Sequence, residues 1–361
     1  MSSAAYSDLK AAWHIDRVAQ LREGKQIAPV ELQFILSDLC NHSCEWCAYR
    51  AEKGLSTEQF VVYENGKRNS NPNRMIATEK ALEILSDAKT LGVKSIIFTG
   101  GGEPTVHPDH MTIWSKALDM GFDCALNTNG QLLRDGWREV LPRFTYVRVS
   151  VDAGNAAEHA KTRSISEFVY PKVIANLTEI AAECRYKGSE CVVGSGYVVT
   201  PENYINIYEG VKTLRDTGCA YVRLAAMQST EGGKPFAAVR GAVREAIDRA
   251  KTLETDRFSV VDLFDSRLGR QPVSSFCGMQ QYVLYIGANL RVYRCCYTAY
   301  SRIGDIGNLS DKTFSEWFYS DEKRSNIASF DARSCSICPL EDKNEAIRYA
   351  MNPKPLHVNF V

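Results

Sequence analysis

An α/β protein built on a parallel sheet, with a smaller C-terminal unit, is the fold class this sequence predicts. Three observations carry the prediction. From residue 32 to residue 225, apolar β-rich runs alternate with amphipathic stretches. Their connections are short, the pattern of βα units with right-handed crossovers. After residue 256 the pattern gives way to an alternating hairpin and a "CSIC" segment, so a boundary is expected between residues 255 and 275.

The elements follow in order. "LQFILSD" is the first strand, and a polar segment leads to "TEKALEILSDAKTLG", a helix with Ala81, Leu85 and Ala88 on one face and Thr78 as N-cap. Then come strand "VKSIIFTGGG", helix "MTIWSKALDMG", strand "FDCALNTNG", helix "QLLRDGWREVL" and strand "TYVRVSVD". Helix "FVYPKVIANLTEIAAECR", strand "CVVGSGYVVT", helix "YINIYEGVKTLRDTG" and strand "AYVRLAAMQ" complete six alternations, enough for a closed or partly closed sheet. Beyond them, "YVLYI" and "LRVYR" pair as a hairpin about a turn containing Gly287 and Asn289, and "FSEWFYSDEKRSNIASF" reads as a helix. The expected organisation is an N-terminal helical extension (1–30), a barrel (31–255), a cysteine-bearing unit (256–345) and a tail (346–361).

Composition narrows the class of function. The 361 residues carry 43 basic and 43 acidic side chains, so long-range charge supports neither a nucleic-acid nor a membrane partner. The N-terminus lacks a basic region followed by an apolar one, and no run approaches the roughly 20 apolar residues of a membrane span, which makes a cytoplasmic location the expectation. Twelve cysteines in a reducing compartment point to metal binding or catalysis.

Chemistry gathers at the C-terminal ends of the strands, where such sheets bind ligands. In "SDLCNHSCEWCAYR", Cys40, Cys44 and Cys47 crowd into eight positions. Three thiolates can hold three irons of a [4Fe-4S] cluster and leave the fourth open; a zinc site completed by His42 or a distant ligand, or core cysteines, are the other readings. One strand later "FTGGGEP" brings three glycines that let backbone approach a ligand, and Glu103, able to accept from an ammonium group. A structural turn would explain the glycines alone, but the combination is specific.

With Trp46 before the last cysteine and Gly-Gly-Glu-Pro one βα unit on, the chain resembles the radical S-adenosylmethionine (radical SAM) superfamily over most of residues 30–230. The resemblance implies a partial (β/α)6 barrel whose cluster binds SAM at the open iron. There, one electron cleaves SAM to methionine and a 5′-deoxyadenosyl radical that abstracts a substrate hydrogen. It also implies cluster ligation by Cys40, Cys44 and Cys47, Trp46 on the adenine side, and Gly101, Gly102 and Glu103 at the methionine moiety. Ser150 and Arg163 match positions for the SAM ribose and carboxylate; a strand-end turn serine and a solvated arginine are their plain alternatives. A reducing partner such as flavodoxin or ferredoxin is implied as well.

Cys277, Cys295, Cys335 and Cys338 follow the order C-x17-C-x39-C-x2-C, and the hairpin brings the first two together. They make one fully ligated cluster or a four-cysteine zinc site. The arrangement resembles the twitch domain, the short relative of the SPASM domain, which implies one auxiliary [4Fe-4S] cluster. Cys295 has the register of the family's "G-x-V-Y-x-C" pattern, with Leu290 in place of the glycine; the adjacent Cys296 is a bystander or a hydrogen-atom donor.

Cys124, Cys184, Cys191 and Cys219 read as small buried apolar residues, and His107 and His110 as helix-start residues. Arg223 and Gln228 lie near the barrel mouth as candidate substrate contacts, and residues 50–74, long for a βα connection, as a covering loop. The expected reaction is dehydrogenation or epimerisation of a small hydroxylated or amino metabolite. Peptide modification, or modification of a nucleic-acid base or nucleotide, is the alternative, and a non-enzymatic iron-sulfur sensor would not need the glycine motif.

Overall fold

The computed structural model describes residues 7–49 and 75–352, and the backbone of residues 63–64 and 67–68. The expected covering loop therefore lies largely outside the described residues. Twelve strands are described: β1 (Glu31–Phe34), β2 (Tyr63–Glu64), β3 (Lys67–Arg68), β4 (Ser95–Phe98), β5 (Asp123–Thr128), β6 (Tyr146–Ser150), β7 (Val192–Val199), β8 (Tyr221–Ala226), β9 (Ser259–Asp262), β10 (Val283–Ile286), β11 (Arg291–Tyr293) and β12 (Asp305–Asn308). Ten of them form one sheet in the order β12-β11-β10-β1-β4-β5-β6-β7-β8-β9, and β2 pairs with β3. From β10 to β9 every pairing is parallel; β11 and β12 are antiparallel additions.

Strand alternation separates two faces. Leu32, Phe34, Ile96, Phe98, Val147 and Val149 are fully buried beneath the helices, whereas Glu31, Gln33, Tyr146, Arg148 and Ser150 line the other, half-buried face. Helix Thr78–Leu91 covers the first face with Ala81, Ile84, Leu85 and Ala88. Six βα units thus build the partial barrel that the sequence predicts.

Several elements differ from the expectation. Thr78 is the first helical residue and Ala77 the N-cap; the Thr78 hydroxyl instead donates to Asp109. The helix expected from Gln131 is only Trp137–Val140, because Gly136 enters it with φ +85° and Pro142 sits in the 3-10 turn that follows. The helix expected over 314–330 is two, Phe314–Phe318 and Asp321–Ala328, the second capped by the Ser320 side chain. A seventh parallel strand, β9, follows the six, and helix Glu341–Met351 runs across residue 345, where the tail was expected to begin. The hairpin β10–β11 forms, and β10 pairs with β1, so it extends the barrel sheet. Its turn places Leu290 at φ +62°, a conformation that favours glycine and accounts for the glycine of the family pattern.

Candidate functional site

The first cysteine loop leaves the end of β1 and is clasped on three sides. The Glu103 amide donates to Leu39 O at 2.8 Å, tying the glycine run to the loop. There is no room for a side chain at that contact: a Cβ on Gly102 would lie 2.2 Å from Leu39 O, and one on Gly101 2.8 Å from Asp38 Oδ1. On the second side, Asn129 Nδ2 donates to Asn41 Oδ1 at 2.7 Å, and Gln131 Oε1 receives Asn41 Nδ2 and His42 Nε2, both at 2.8 Å. On the third, helix Ala156–Arg163 ends against the loop. Its Arg163 and Thr162 carbonyls accept from the Ser43 amide at 3.0 Å and the Glu45 amide at 3.1 Å. The loop thus satisfies carbonyls that a helix C-terminus otherwise leaves open. Cys40 Sγ accepts from the His42 amide at 3.4 Å, and burial pushes the Cys44 thiol up to about 12, against the pull of Arg163.

Two expected SAM contacts are engaged inside the protein. Glu103 is buried; Oε1 accepts from Thr105 N, Thr105 Oγ1 and Thr128 Oγ1 at 3.1, 2.8 and 2.6 Å, and Oε2 from Asn129 N at 2.7 Å. Its carboxylate locks the end of β4 to the end of β5 and does not stand open to an ammonium group. Arg163, expected to be solvent-facing in the plain reading, is 2% exposed and ion-paired with the fully buried Asp152; its Cζ lies 5.4 Å from the Trp46 ring centroid. Arg163 Nη1 also donates to His42 Nδ1 at 3.3 Å, which fixes His42 as a neutral imidazole with its pKa lowered by burial to about 4. Trp46 Nε1 and Arg163 Nε are buried donors with no hydrogen-bond partner among the described residues. Ser150 ends β6, paired with Gly196.

The second cysteine set lies at the other end of the sheet. Segment 270–277 runs beside 332–338 through Ala332 N to Ser275 O at 2.9 Å and Cys338 N to Arg270 O at 2.7 Å. Arg294 joins the ends of the hairpin, donating to Gln280 Oε1 at 2.5 Å and packing over Phe330. Burial pushes Cys277, Cys335 and Cys338 up to about 12, and each also feels the charge of Cys295. Cys296 is half-buried beside Tyr49, Tyr297 and Arg267, where desolvation raises its pKa and keeps it a thiol. Between the two sets stand packed tyrosines: Tyr49, Tyr285, Tyr293 and Tyr300, with Tyr49 and Tyr300 centroids 5.8 Å apart. Arg223 sits on β8, and Gln228 two residues beyond its end. The seven cysteines of the two sets and Cys296 are half-buried, and Cys124, Cys184, Cys191 and Cys219 are buried. His107 and His110 are spent on Ile76 O and His107 O at the start of their helix.

Sequence reading missed Asp152, Asn129, Gln131 and the tyrosines. The "NTNGQ" run was the available signal for Asn129 and Gln131; Asp152 carries no motif.

Among the described residues no three His, Cys, Asp or Glu side chains converge where a single metal ion would sit. A cubane is bound differently, its thiolates on separate irons at separate corners. The all-thiolate donor sets, the orphaned donors of Trp46 and Arg163, and the glycine wall with no space for a Cβ fit such a group beside a small ligand.

The sequence model of the radical SAM superfamily matches residues 34–214, half of the chain, and the chain belongs to that superfamily. Its members hold a [4Fe-4S] cluster and SAM. A tungsten-containing aldehyde ferredoxin oxidoreductase cofactor-modifying protein of Pyrococcus furiosus is 33% identical over 142 residues, 38% of this chain and 39% of that protein. A probable GTP 3′,8-cyclase of Saccharolobus islandicus is 26% identical over 140 residues, 38% of this chain and 40% of that protein. The matches therefore span about two fifths of these relatives. Streptococcus suis SuiB, solved with its precursor peptide SuiA, superposes with a TM-score of 0.62 at 18% identity, covering 91% of this chain and 73% of SuiB. The structure of anSMEcpe with bound AdoMet gives 0.56 at 18% identity, covering 83% of each. These last two likenesses concern the fold. No helix among the described residues is long and apolar enough to cross a membrane.

Proposed function

We propose that Cys40, Cys44 and Cys47 hold a SAM-binding [4Fe-4S] cluster, and that Cys277, Cys295, Cys335 and Cys338 close an auxiliary cluster in a twitch-type unit (256–345). The observation that carries this reading is the clasp between the cysteine loop and the glycine run, with no space for a side chain where they meet. When bound, the two clusters supply the electron that cleaves SAM to its hydrogen-abstracting radical and an acceptor for the electron a dehydrogenation releases.

The chain's own residues would do the rest. Backbone of Gly101 and Gly102 meets the methionine moiety, held in place by Glu103 acting from within. Trp46 lines the adenine side and offers its Nε1, Arg163 offers Nε to the SAM carboxylate, and Ser150 lies toward the ribose. Tyr49, Tyr285 and Tyr300 exclude water between the two cysteine sets. The substrate is a small hydroxylated or amino metabolite, dehydrogenated or epimerised; flavodoxin or ferredoxin serves as reductant, in the cytoplasm. The setting of Cys296, a half-buried thiol beside Tyr49 and Tyr297, favours epimerisation with Cys296 returning a hydrogen atom. Peptide modification is the second reading, favoured by the peptide-bound state of the similar SuiB fold.

Anaerobically reconstituted protein given SAM and dithionite is expected to form 5′-deoxyadenosine, and a Cys40→Ala/Cys44→Ala/Cys47→Ala variant to form none. A wild type that forms none contradicts every enzymatic version. With a substrate in hand, Cys296→Ala that still epimerises removes Cys296 as donor.

A further inference from the structure

Two of the cysteines outside the cluster sets meet at the foot of the barrel. Cys184 ends the buried face of helix Val169–Tyr186, and Cys191 stands one residue before β7. The segment between them, "RYKGSE", turns tightly. Gly188 takes φ +60°, its amide donates to Arg185 O at 3.0 Å, and the Ser189 amide donates to Cys184 O at 2.9 Å. The Cys191 amide donates to Ser189 Oγ at 2.9 Å, and that hydroxyl donates onward to Pro142 O, which anchors the turn. The chain thereby doubles back and brings the two side chains together: the Cys191 thiol donates to the Cys184 sulfur.

Both cysteines line a cavity of about 560 Å³ at the ends where β7, β8 and β9 begin, together with Val192, Ala220 and Phe258. That volume is in the range of small-molecule sites, and none of the seven cysteines of the two sets borders it. Cys219, on the same wall, is spent: its Sγ donates to Leu214 O at 3.2 Å and to Tyr221 O at 3.5 Å. The hydrogen bond from Cys191 lowers the pKa of Cys184, with help from Arg185 and Lys187 and against burial and Glu183, and it raises the pKa of Cys191. One thiol is readied as a nucleophile while the other stays protonated beside it, the asymmetry of a reactive cysteine with its resolving partner. Cysteines that only fill space, as the sequence suggested for this pair, need neither the mutual contact nor a place on a cavity wall.

We infer that Cys184 and Cys191 are a redox modification site, a dithiol that a hydroperoxide entering this cavity converts to a disulfide. The Cys184 thiolate attacks one peroxide oxygen and breaks the O–O bond; Cys184 becomes a sulfenic acid and the other oxygen leaves, protonated, as water or an alcohol. The Cys191 sulfur then attacks the Cys184 sulfur, forming the S–S bond and releasing the sulfenic oxygen as water. The two thiols give up two electrons and two protons, and the hydroperoxide takes them up. The inference is independent of the radical reading, because neither cysteine belongs to the cluster sets or the SAM contacts.

Peptide mapping of the reconstituted holoenzyme tests it. The protein is titrated anaerobically with hydrogen peroxide up to a single equivalent per chain, denatured in iodoacetamide and digested with trypsin without reduction. Cleavage after Arg185 and Lys187 puts Cys184 and Cys191 on separate peptides. Mass spectrometry is expected to find those peptides joined, about 2 Da lighter than the free pair for the two hydrogens lost, with iron per chain unchanged. Cys191→Ser is expected to lose the linkage and stop at a sulfenic acid on Cys184 that dimedone traps; Cys184→Ser is expected to give neither linkage nor dimedone adduct. Wild-type protein in which both cysteines are recovered alkylated, or in which the linkage rises only in step with loss of iron, overturns the inference. Dimedone labelling of Cys191 in Cys184→Ser equal to that of Cys184 in Cys191→Ser overturns it too, since the pair would then have no nucleophile and resolving partner.

Discussion

Arg163 ties three things together at once: Asp152 behind it, His42 in the cysteine loop and the face of Trp46. A buried ion pair is weak evidence for stability, but removing one partner leaves the other charge stranded. Asp152→Asn is therefore expected to cost about 3–5 kcal/mol in denaturant unfolding and to weaken SAM binding through the displaced arginine. Behind the same loop, His159 is fully buried and neither ring nitrogen has a hydrogen-bond partner among the described residues. Burial, then Arg163, lowers its pKa from 6.5 to about 3. A depressed histidine contributes stability that is intact above pH 6.5 and lost as pH falls toward the folded value, at about 1.4 kcal/mol per unit. Between pH 7 and pH 5 the wild type should lose stability, and His159→Leu should lose about 2 kcal/mol less; equal losses would contradict this account of His159. At this scale the sequence was legible where residues sit in motifs. Cys40, Trp46 and Gly102 were named because their neighbours name them, while Asp152 becomes visible only when the ends of β6 and helix Ala156–Arg163 are brought together.

The cysteine loop is an element without regular structure of its own, shaped by the ends of its neighbours. It takes its form from the glycine run after β4, the Asn129–Gln131 turn after β5 and the last carbonyls of helix Ala156–Arg163. Because Gly102 faces backbone oxygens that cannot swing aside, Gly102→Ala should cost on the order of 1–3 kcal/mol. It should also lower the iron retained by the reconstituted protein, read as iron per chain; full iron content and an unchanged unfolding midpoint would show that the clasp does not shape the loop. Strands were legible because alternation survives in short runs, as in "VRVS", and helix faces because Ala81, Leu85 and Ala88 repeat at helical spacing. What failed was termination. Gly136 and Pro142 shortened one helix, Ser320 restarted another, and the four residues of β9 were too few to announce a strand.

Across the whole molecule, the parallel pairing of β10 with β1 decides where the two cysteine sets lie. The first follows the end of β1; Cys277 precedes β10 and Cys295 follows the antiparallel β11, so the second set stands at the end where β1 begins. Sequence suggested the hairpin but not that it would extend the barrel, since a pairing between distant segments leaves no local pattern. The sheet therefore separates the three-cysteine set from the four-cysteine set, with the packed tyrosines between. Electron paramagnetic resonance of the reduced, reconstituted protein, with and without SAM, tests that division most directly. Two cluster signals are predicted, only one of them altered by SAM, and Cys40→Ala/Cys44→Ala/Cys47→Ala should lose that one and keep the other. A triple variant that retains the SAM-sensitive signal, or a wild type in which SAM alters both or neither, would contradict the account.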